Sequence, residues 1–257
     1  GNGKTSIAER ITQAYGEAIW IPRAIDAHGE TIQLYDPHNH HALPAHAGQP
    51  AGDPAPVDQR WVRIQRPTIV AGGELTLSSL EISRNPTTGV SEAPLQMKSN
   101  CGTLVIDDFG RQRVSPAEML NRWIVPLERR HDYLRSPTGR KLRVPFDQLV
   151  IFSSNLDPAT LVDEAFLRRV PYKIEVRDPT EGQFRQLFRQ LARAMGIACH
   201  DDALDYVVQK TAGRCRRFCH PQALLQQIDN YCDFRELPAV ATPAAIDAAL
   251  QNYFAAL

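Results

Sequence analysis

The sequence contains no run of about 20 apolar residues, so no membrane-spanning helix is expected. It has no excess of either charge. Its 29 Lys and Arg residues face 29 Asp and Glu residues, which argues against a strongly basic nucleic-acid binder. Cysteine is scarce. Cys101, Cys199, Cys215, Cys219 and Cys232 are odd in number and irregular in spacing, the pattern of reduced thiols in a cytoplasmic protein. Cys215, Cys219, His220 and Cys232 match no common zinc spacing and read as small side chains on buried helix faces. No internal repeat and no signal peptide is visible.

What is present divides in two. Up to Pro179 the chain alternates strand and helix signals, and from Thr180 it shows only amphipathic helical stretches, about four, broken near Gly196, Gly213 and Pro238. Two domains are therefore expected, an α/β part over 1–179 and an all-helical part over 180–257. Residues 5–15 read as a helix. The runs AIWIPRAIDA and ETIQLYD read as strands turning at His28-Gly29. A tract rich in Pro, Ala, Gly and His, about 36–60, reads as an exposed loop, with His38, His40, His41 and His46 in solvent. The stretch from Trp61 to Met97 reads as strands and turns around a short helix at 74–80, with NPTTG as a clear turn.

Two apolar runs follow that carry polar groups at their ends. CGTLVIDDFG delivers Asp107 and Asp108 to the C-terminal edge of a buried parallel strand. QLVIFSSNLDP does the same for Asn155. Between them, SPAEMLNRWIVPLERR carries an N-cap Ser, Pro at the first helical position and Glu three residues after the cap. DYLRSPTGRKLRVPF reads as a hairpin turning at Thr138-Gly139. A helix up to Arg168 and a strand YKIEV complete this part.

The chain opens GNGKTSIAER, which matches the last three fixed positions of the phosphate loop G-x-x-x-x-G-K-[ST] in Gly3, Lys4 and Thr5. The first glycine of that pattern would fall upstream of Gly1. The chain is therefore expected to be truncated at its start, without the strand that precedes the loop. In such a loop the backbone N–H groups of Gly1, Asn2, Gly3 and Ser6 face phosphate, Lys4 neutralises the β- and γ-phosphates, and Thr5 ligates Mg²⁺. Asp107 at the end of its strand supplies the second magnesium position, and Asp108 beside it is placed to polarise water.

The order of Gly-Lys-Thr, an Asp pair at a strand end, Asn at the next strand end, a following Arg and a helical region resembles the AAA+ ATPases over nearly the whole chain. The resemblance implies a P-loop parallel sheet of strand order 5-1-4-3-2 with a helical lid, ATP and Mg²⁺ as ligands, and assembly into a ring, a hexamer. It implies sensor one at Asn155 and an arginine finger in DEAFLRRV at Arg169, with Arg168 as the alternate. The hairpin before Asn155 and the inserted strands before the Asp pair resemble the pre-sensor-one hairpin clade, MoxR-like members included. The family's lid arginine has Gln222 in its place, with Arg216 and Arg217 one turn away. Where many members carry Glu, this chain has Asp108, one methylene shorter.

These features point to a Mg-ATP-dependent remodelling motor whose client is a protein. A nucleic-acid motor is the alternative, since Arg129, Arg130, His131, Arg135, Arg140, Lys141 and Arg143 gather on and around the hairpin. A nucleotide-binding scaffold without hydrolysis is the third reading.

Overall fold

The computed structural model describes residues 4–45, 58–157, 164–214 and 216–254. Its elements in chain order begin with α1 (Lys4–Gln13), β1 (Ala18–Pro22), β2 (Ala24–Ala27), β3 (Glu30–Gln33), β4 (Trp61–Gln65) and β5 (Thr68–Ala71). A 3₁₀ turn (Leu77–Leu80), β6 (Ser83–Arg84), β7 (Ser91–Glu92), α2 (Leu95–Lys98) and β8 (Thr103–Ile106) follow. Then come α3 (Pro116–Arg129), β9 (His131–Arg135), β10 (Lys141–Pro145), β11 (Leu149–Phe152) and a single turn, α4 (Glu164–Leu167). The remaining helices are α5 (Glu181–Ala194), α6 (Asp201–Lys210), α7 (His220–Phe234) and α8 (Pro243–Tyr253). Contacts group the chain into two compact units, one over Thr5–Lys173 and one containing Ile174–Leu257.

The first unit is built on a parallel sheet in the order β11-β8-β5. Every residue of TLVI in β8 is buried, as an apolar run covered on both faces should be. The core on this sheet joins Ile69, Leu104 and Ile106 to Leu75, Leu80, Met119, Trp123 and Phe166. Gly102 is required just before β8, because a Cβ there would meet the Pro67 carbonyl oxygen at 2.2 Å. Helix α1 is pinned to the same strand, the Thr12 and Thr103 hydroxyls lying 2.6 Å apart in the interior.

Helix α3 starts where its cap predicts. Ser115 accepts from the Glu118 N–H and Glu118 reaches back to the Ser115 N–H, with Pro116 opening the helix. The hairpin β9–β10 pairs in the register Arg135 with Lys141, Tyr133 with Arg143 and His131 with Pro145. Its inward face is Asp132, Leu134, Leu142 and Val144, and these leucines and valine pack with Ile32, Ile82 and Met97. A mixed sheet β2-β3-β7-β6 and an antiparallel pair β1–β4 complete the unit. His28 and Gly29 turn β2 into β3 with φ of 58° and 82°, the paired positive values of a tight hairpin turn.

Two sequence expectations fail here. YKIEV forms no strand, and Tyr172 and Ile174 are more than four-fifths exposed. A strand needs a hydrogen-bonded neighbour, and among the described residues β11 pairs only with β8. The described strands therefore supply the 4-3-2 portion of the expected order. The second failure is His40, which is buried (3% exposed) instead of solvated. Its Nδ1 accepts from the Asp36 N–H at 3.0 Å, and its Nε2 lies 2.8 Å from the Lys98 carbonyl oxygen and donates to it. Lys98 and Asp36 form a largely buried ion pair beside it. Part of the loop is thus a knot that ties residues 36–40 to the end of α2; residues 46–57, with His46, lie outside the described residues.

The second unit is all helical. Thr180 and Gln183 cap α5 reciprocally, and Phe184, Phe188 and Ala192 bury one face of it at four-residue spacing. They pack with Leu204 and Val207 of α6, Leu224, Leu225 and Ile228 of α7, and Ala245, Ile246 and Ala249 of α8.

Candidate functional site

The strand ends of the parallel sheet bring three predicted residues to one edge. The Asp107 N–H donates to the Ala71 carbonyl at 2.8 Å, so the β8 ladder runs one residue past the strand and then stops. The chain turns sharply at Asp108, which sits in the left-handed region with φ of 49°. Its N–H donates to Asp107 Oδ1 at 3.0 Å. On the adjacent strand, Ser153 donates to the Ile106 carbonyl and accepts from the Phe109 N–H, locking the two strand ends together. Asn155 lies two residues further on, and its Nδ2 donates to Asp108 Oδ1 at 3.3 Å. Asp108 and Asn155, 47 residues apart in sequence, are therefore direct partners.

Two residues that sequence reasoning missed clamp this turn. Gln112 Nε2 donates to the Asp107 carbonyl at 2.7 Å, and its Oε1 accepts from the Gly110 N–H at 2.9 Å. Ser154 Oγ donates to the Phe109 carbonyl at 2.7 Å. Gln112 closes its bonds within five residues and Ser154 bonds across 45, but each is a polar side chain after a strand, a signal too common to stand out in a sequence.

The remaining predicted residues are placed as follows. Gly1, Asn2 and Gly3 lie outside the described residues, and Lys4 and Thr5 open α1 with their side chains outside the description. Ser6, in the first turn of α1, is exposed. Arg169 Nε donates to Glu128 Oε1 at 2.6 Å on α3, an ion pair. Asp163 and the Glu164 side chain lie outside the described residues. Arg168 is exposed in the turn after α4. In the helical unit, Gln222 is exposed in the first turn of α7, and the Arg217 N–H donates to His220 Nδ1 at 3.3 Å. Arg216 is held inside that unit, by Glu181 Oε2 at 3.6 Å and the Val208 carbonyl at 3.4 Å. Of the cysteine group, Cys215 lies outside the described residues, and Cys232 is buried in the helical core. Among the described residues no three His, Cys, Asp or Glu side chains converge on one point.

The Asp107–Asp108 edge is thus a two-acid site of hard oxygens with an amide beside it. This donor set fits Mg²⁺, which takes one or two protein carboxylates and keeps its other positions for water and phosphate.

Comparison with known proteins agrees with this architecture. A family model described as a domain of unknown function (DUF8689) matches residues 180–252, the helical unit. No curated protein matches. Among solved structures, NtrX from Brucella abortus is similar at 15% identity, with a TM-score of 0.55 over 74% of this chain and 45% of that chain. NtrX from the same organism in complex with ADP is similar at 16% identity, with a TM-score of 0.50 over 70% of this chain and 44% of that one. The Thermotoga maritima RuvB Holliday junction branch migration motor is 12% identical over 72% of this chain and 52% of that one, with a TM-score of 0.46. The chain spans less than half of the NtrX chains that it matches. The fold is an α/β fold on a parallel sheet, followed by a helical region, and it is shared with the NtrX structures. At these identities the likeness is one of fold. No described helix is long and apolar enough to cross a membrane.

Proposed function

We propose that the protein is a Mg-ATP-dependent AAA+ ATPase of the pre-sensor-one hairpin clade, MoxR-like, which works as a cytoplasmic ring, a hexamer, and remodels a protein client. One observation supports the reading above all others. Asp107, Asp108 and Asn155 meet at the ends of adjacent parallel strands, with Asn155 bonded to Asp108. In this reading Asp107 with Thr5 holds the metal, and Lys4 with the backbone of Gly1, Asn2, Gly3 and Ser6 holds the phosphates. Magnesium, when bound, neutralises charge on the transferring phosphoryl group. Asp108 accepts a proton from the attacking water, and Asn155 fixes the direction of the Asp108 carboxylate. Arg169, or Arg168 as the alternate, serves a neighbouring subunit, and Arg217 with Gln222 serves from the helical unit.

The test is made in the full natural chain. Asp108→Asn keeps shape and removes the proton acceptor, so ATP affinity should hold while hydrolysis slows by about 10² or more. Lys4→Ala should abolish tight ATP binding. Phosphate release from Asp108→Asn at the wild-type rate removes Asp108 from the chemistry, and unchanged ATP affinity in Lys4→Ala removes the phosphate loop. A second reading, a motor on nucleic acid, is favoured by the outward face of the hairpin.

A further inference from the structure

The hairpin sorts its side chains cleanly by face. Asp132, Leu134, Leu142 and Val144 point into the protein. His131, Tyr133, Arg135, Lys141 and Arg143 share the opposite face, and all but the half-buried His131 are exposed. Arg135 and Lys141 stand directly opposite each other in the register. Like charges in that position repel and destabilise the pair. Lys141 leans instead over the Tyr133 ring, its Nζ 4.2 Å from the ring centre, and His131 meets the same ring edge-on at 5.1 Å.

No carboxylate among the described residues answers these charges. Among the described residues none of Arg135, Arg140, Lys141 and Arg143 forms an ion pair. The nearby acids are committed elsewhere. Asp132 faces inward, where both of its oxygens accept from Arg122. Glu81 also accepts from Arg122, and gives Arg135 only a contact to its backbone N–H. Glu30, near the turn, accepts from Ser91 and Thr138. The chain is neutral as a whole, so this strip is a local concentration of positive charge.

We infer that the outward face of the β9–β10 hairpin, Tyr133, Arg135, Lys141 and Arg143, binds single-stranded nucleic acid. Same-face residues of a strand repeat at about 7 Å, a stride that lets successive cations follow an extended phosphate backbone. Tyr133 between the cations adds an aromatic surface for a base, and cations interleaved with an aromatic are the means by which single strands are held without sequence preference. An acidic peptide would use the cations and leave the ring without a role. The binding needs no nucleotide-site residue, so it stands apart from the ATPase reading; its use by a motor rests on that reading.

The experiment measures fluorescence anisotropy of a labelled 20-nucleotide oligothymidine with the whole chain, without ATP, at 50 and 200 mM salt. Three engaged cations predict an affinity loss of about twentyfold across that range. The combined variant Arg135→Gln, Lys141→Gln and Arg143→Gln should bind weakly with a nearly flat salt response. Tyr133→Leu should weaken binding at least about fivefold at unchanged salt slope, and Tyr133→Phe should restore it. All of these positions are exposed, and unchanged urea melts confirm folding of each variant. Absence of binding at 50 mM salt overturns the inference, as does a salt slope unaltered in the triple variant. Equal or better competition by duplex DNA or by polyglutamate overturns the assignment to a single strand.

Discussion

Asp132→Ala tests how the hairpin is held to the body of its unit. The Asp132 side chain is 3% exposed and that of Arg122 on α3 is 20% exposed. Their two hydrogen bonds measure 2.7 and 2.9 Å, and Asp132 also accepts from Gln96 Nε2 at 3.2 Å and from the Tyr133 N–H at 2.7 Å. Burial works against the Arg122 charge, and Asp132 and Glu81 more than offset it, so its pKa is raised. Breaking a buried pair by removing one partner costs about 3–5 kcal/mol, because the other charge is left uncompensated. Here Glu81 remains 3.1 Å from Arg122 and is partly exposed, which keeps the loss near the lower end, about 3 kcal/mol. With a urea slope of about 2 kcal/mol per molar, the midpoint should fall by about 1.5 M. The assay is unusually clean, because Trp20, Trp61 and Trp123 all lie in the unit over Thr5–Lys173. Tryptophan fluorescence therefore follows that unit alone, while circular dichroism follows the helices of both. The fluorescence transition should move. Replacing both partners, Arg122→Met with Asp132→Leu, should recover most of the loss, since an apolar pair carries no desolvation cost. A midpoint shift below about 0.3 M for Asp132→Ala, or a double variant worse than the single one, would falsify the account of a buried, mutually dependent pair.

Three further outcomes follow from the same geometry. Arg169→Ala in the full natural chain should keep ATP affinity and lose about 10³ or more in hydrolysis if the arginine acts on a neighbour's ATP, whereas a role confined to the Glu128 pair would cost only about 0–1 kcal/mol of stability. Glu128→Gln with full activity, beside a dead Arg169→Ala, separates the two; full activity in both Arg169→Ala and Arg168→Ala ends the finger assignment. Burial lowers the His40 pKa below its ordinary value. The unfolded chain therefore binds the proton more tightly, so the His40 contribution to stability is complete above about pH 6.5 and is lost as the pH falls below it. An NMR titration should place the His40 midpoint below about 6.5, and a midpoint at or above that value refutes the buried neutral ring. Acid should act again at lower pH: burial alone would raise the Asp36 carboxyl, but hydrogen bonds from Lys98, Asn39 and the His38 N–H draw it down to about 2. Finally, Gly102→Ala should destabilise the fluorescent unit by at least about 1–3 kcal/mol, because the added carbon meets backbone and the proline ring of Pro67 cannot move aside. A wild-type urea midpoint for this variant would show that the Pro67 contact yields.

The amino-acid sequence by itself determined the parts whose bonds close within a few residues. The caps at Ser115 and Thr180, the turn at His28-Gly29, the hairpin register and the buried face of α5 all form as their residues dictate. In each, the hydrogen bonds and the apolar period are local, so the identities of neighbouring residues suffice. The Asp pair was legible for the same reason, since a wholly apolar run such as TLVI must end where polar groups begin. Tertiary structure alone decided what those groups touch. Asn155 meets Asp108 because β11 lies beside β8, and Arg169 meets Glu128 because α3 passes nearby. His40 sits in a tract of loop composition, yet the Lys98 carbonyl and the Asp36 N–H accommodate both of its ring nitrogens, which makes burial affordable. YKIEV has the composition of a strand and is none, because strand formation depends on a neighbour that no local pattern supplies. Pairing across tens of residues is set by which surfaces the whole chain brings together, and that information is not carried in any one stretch of it.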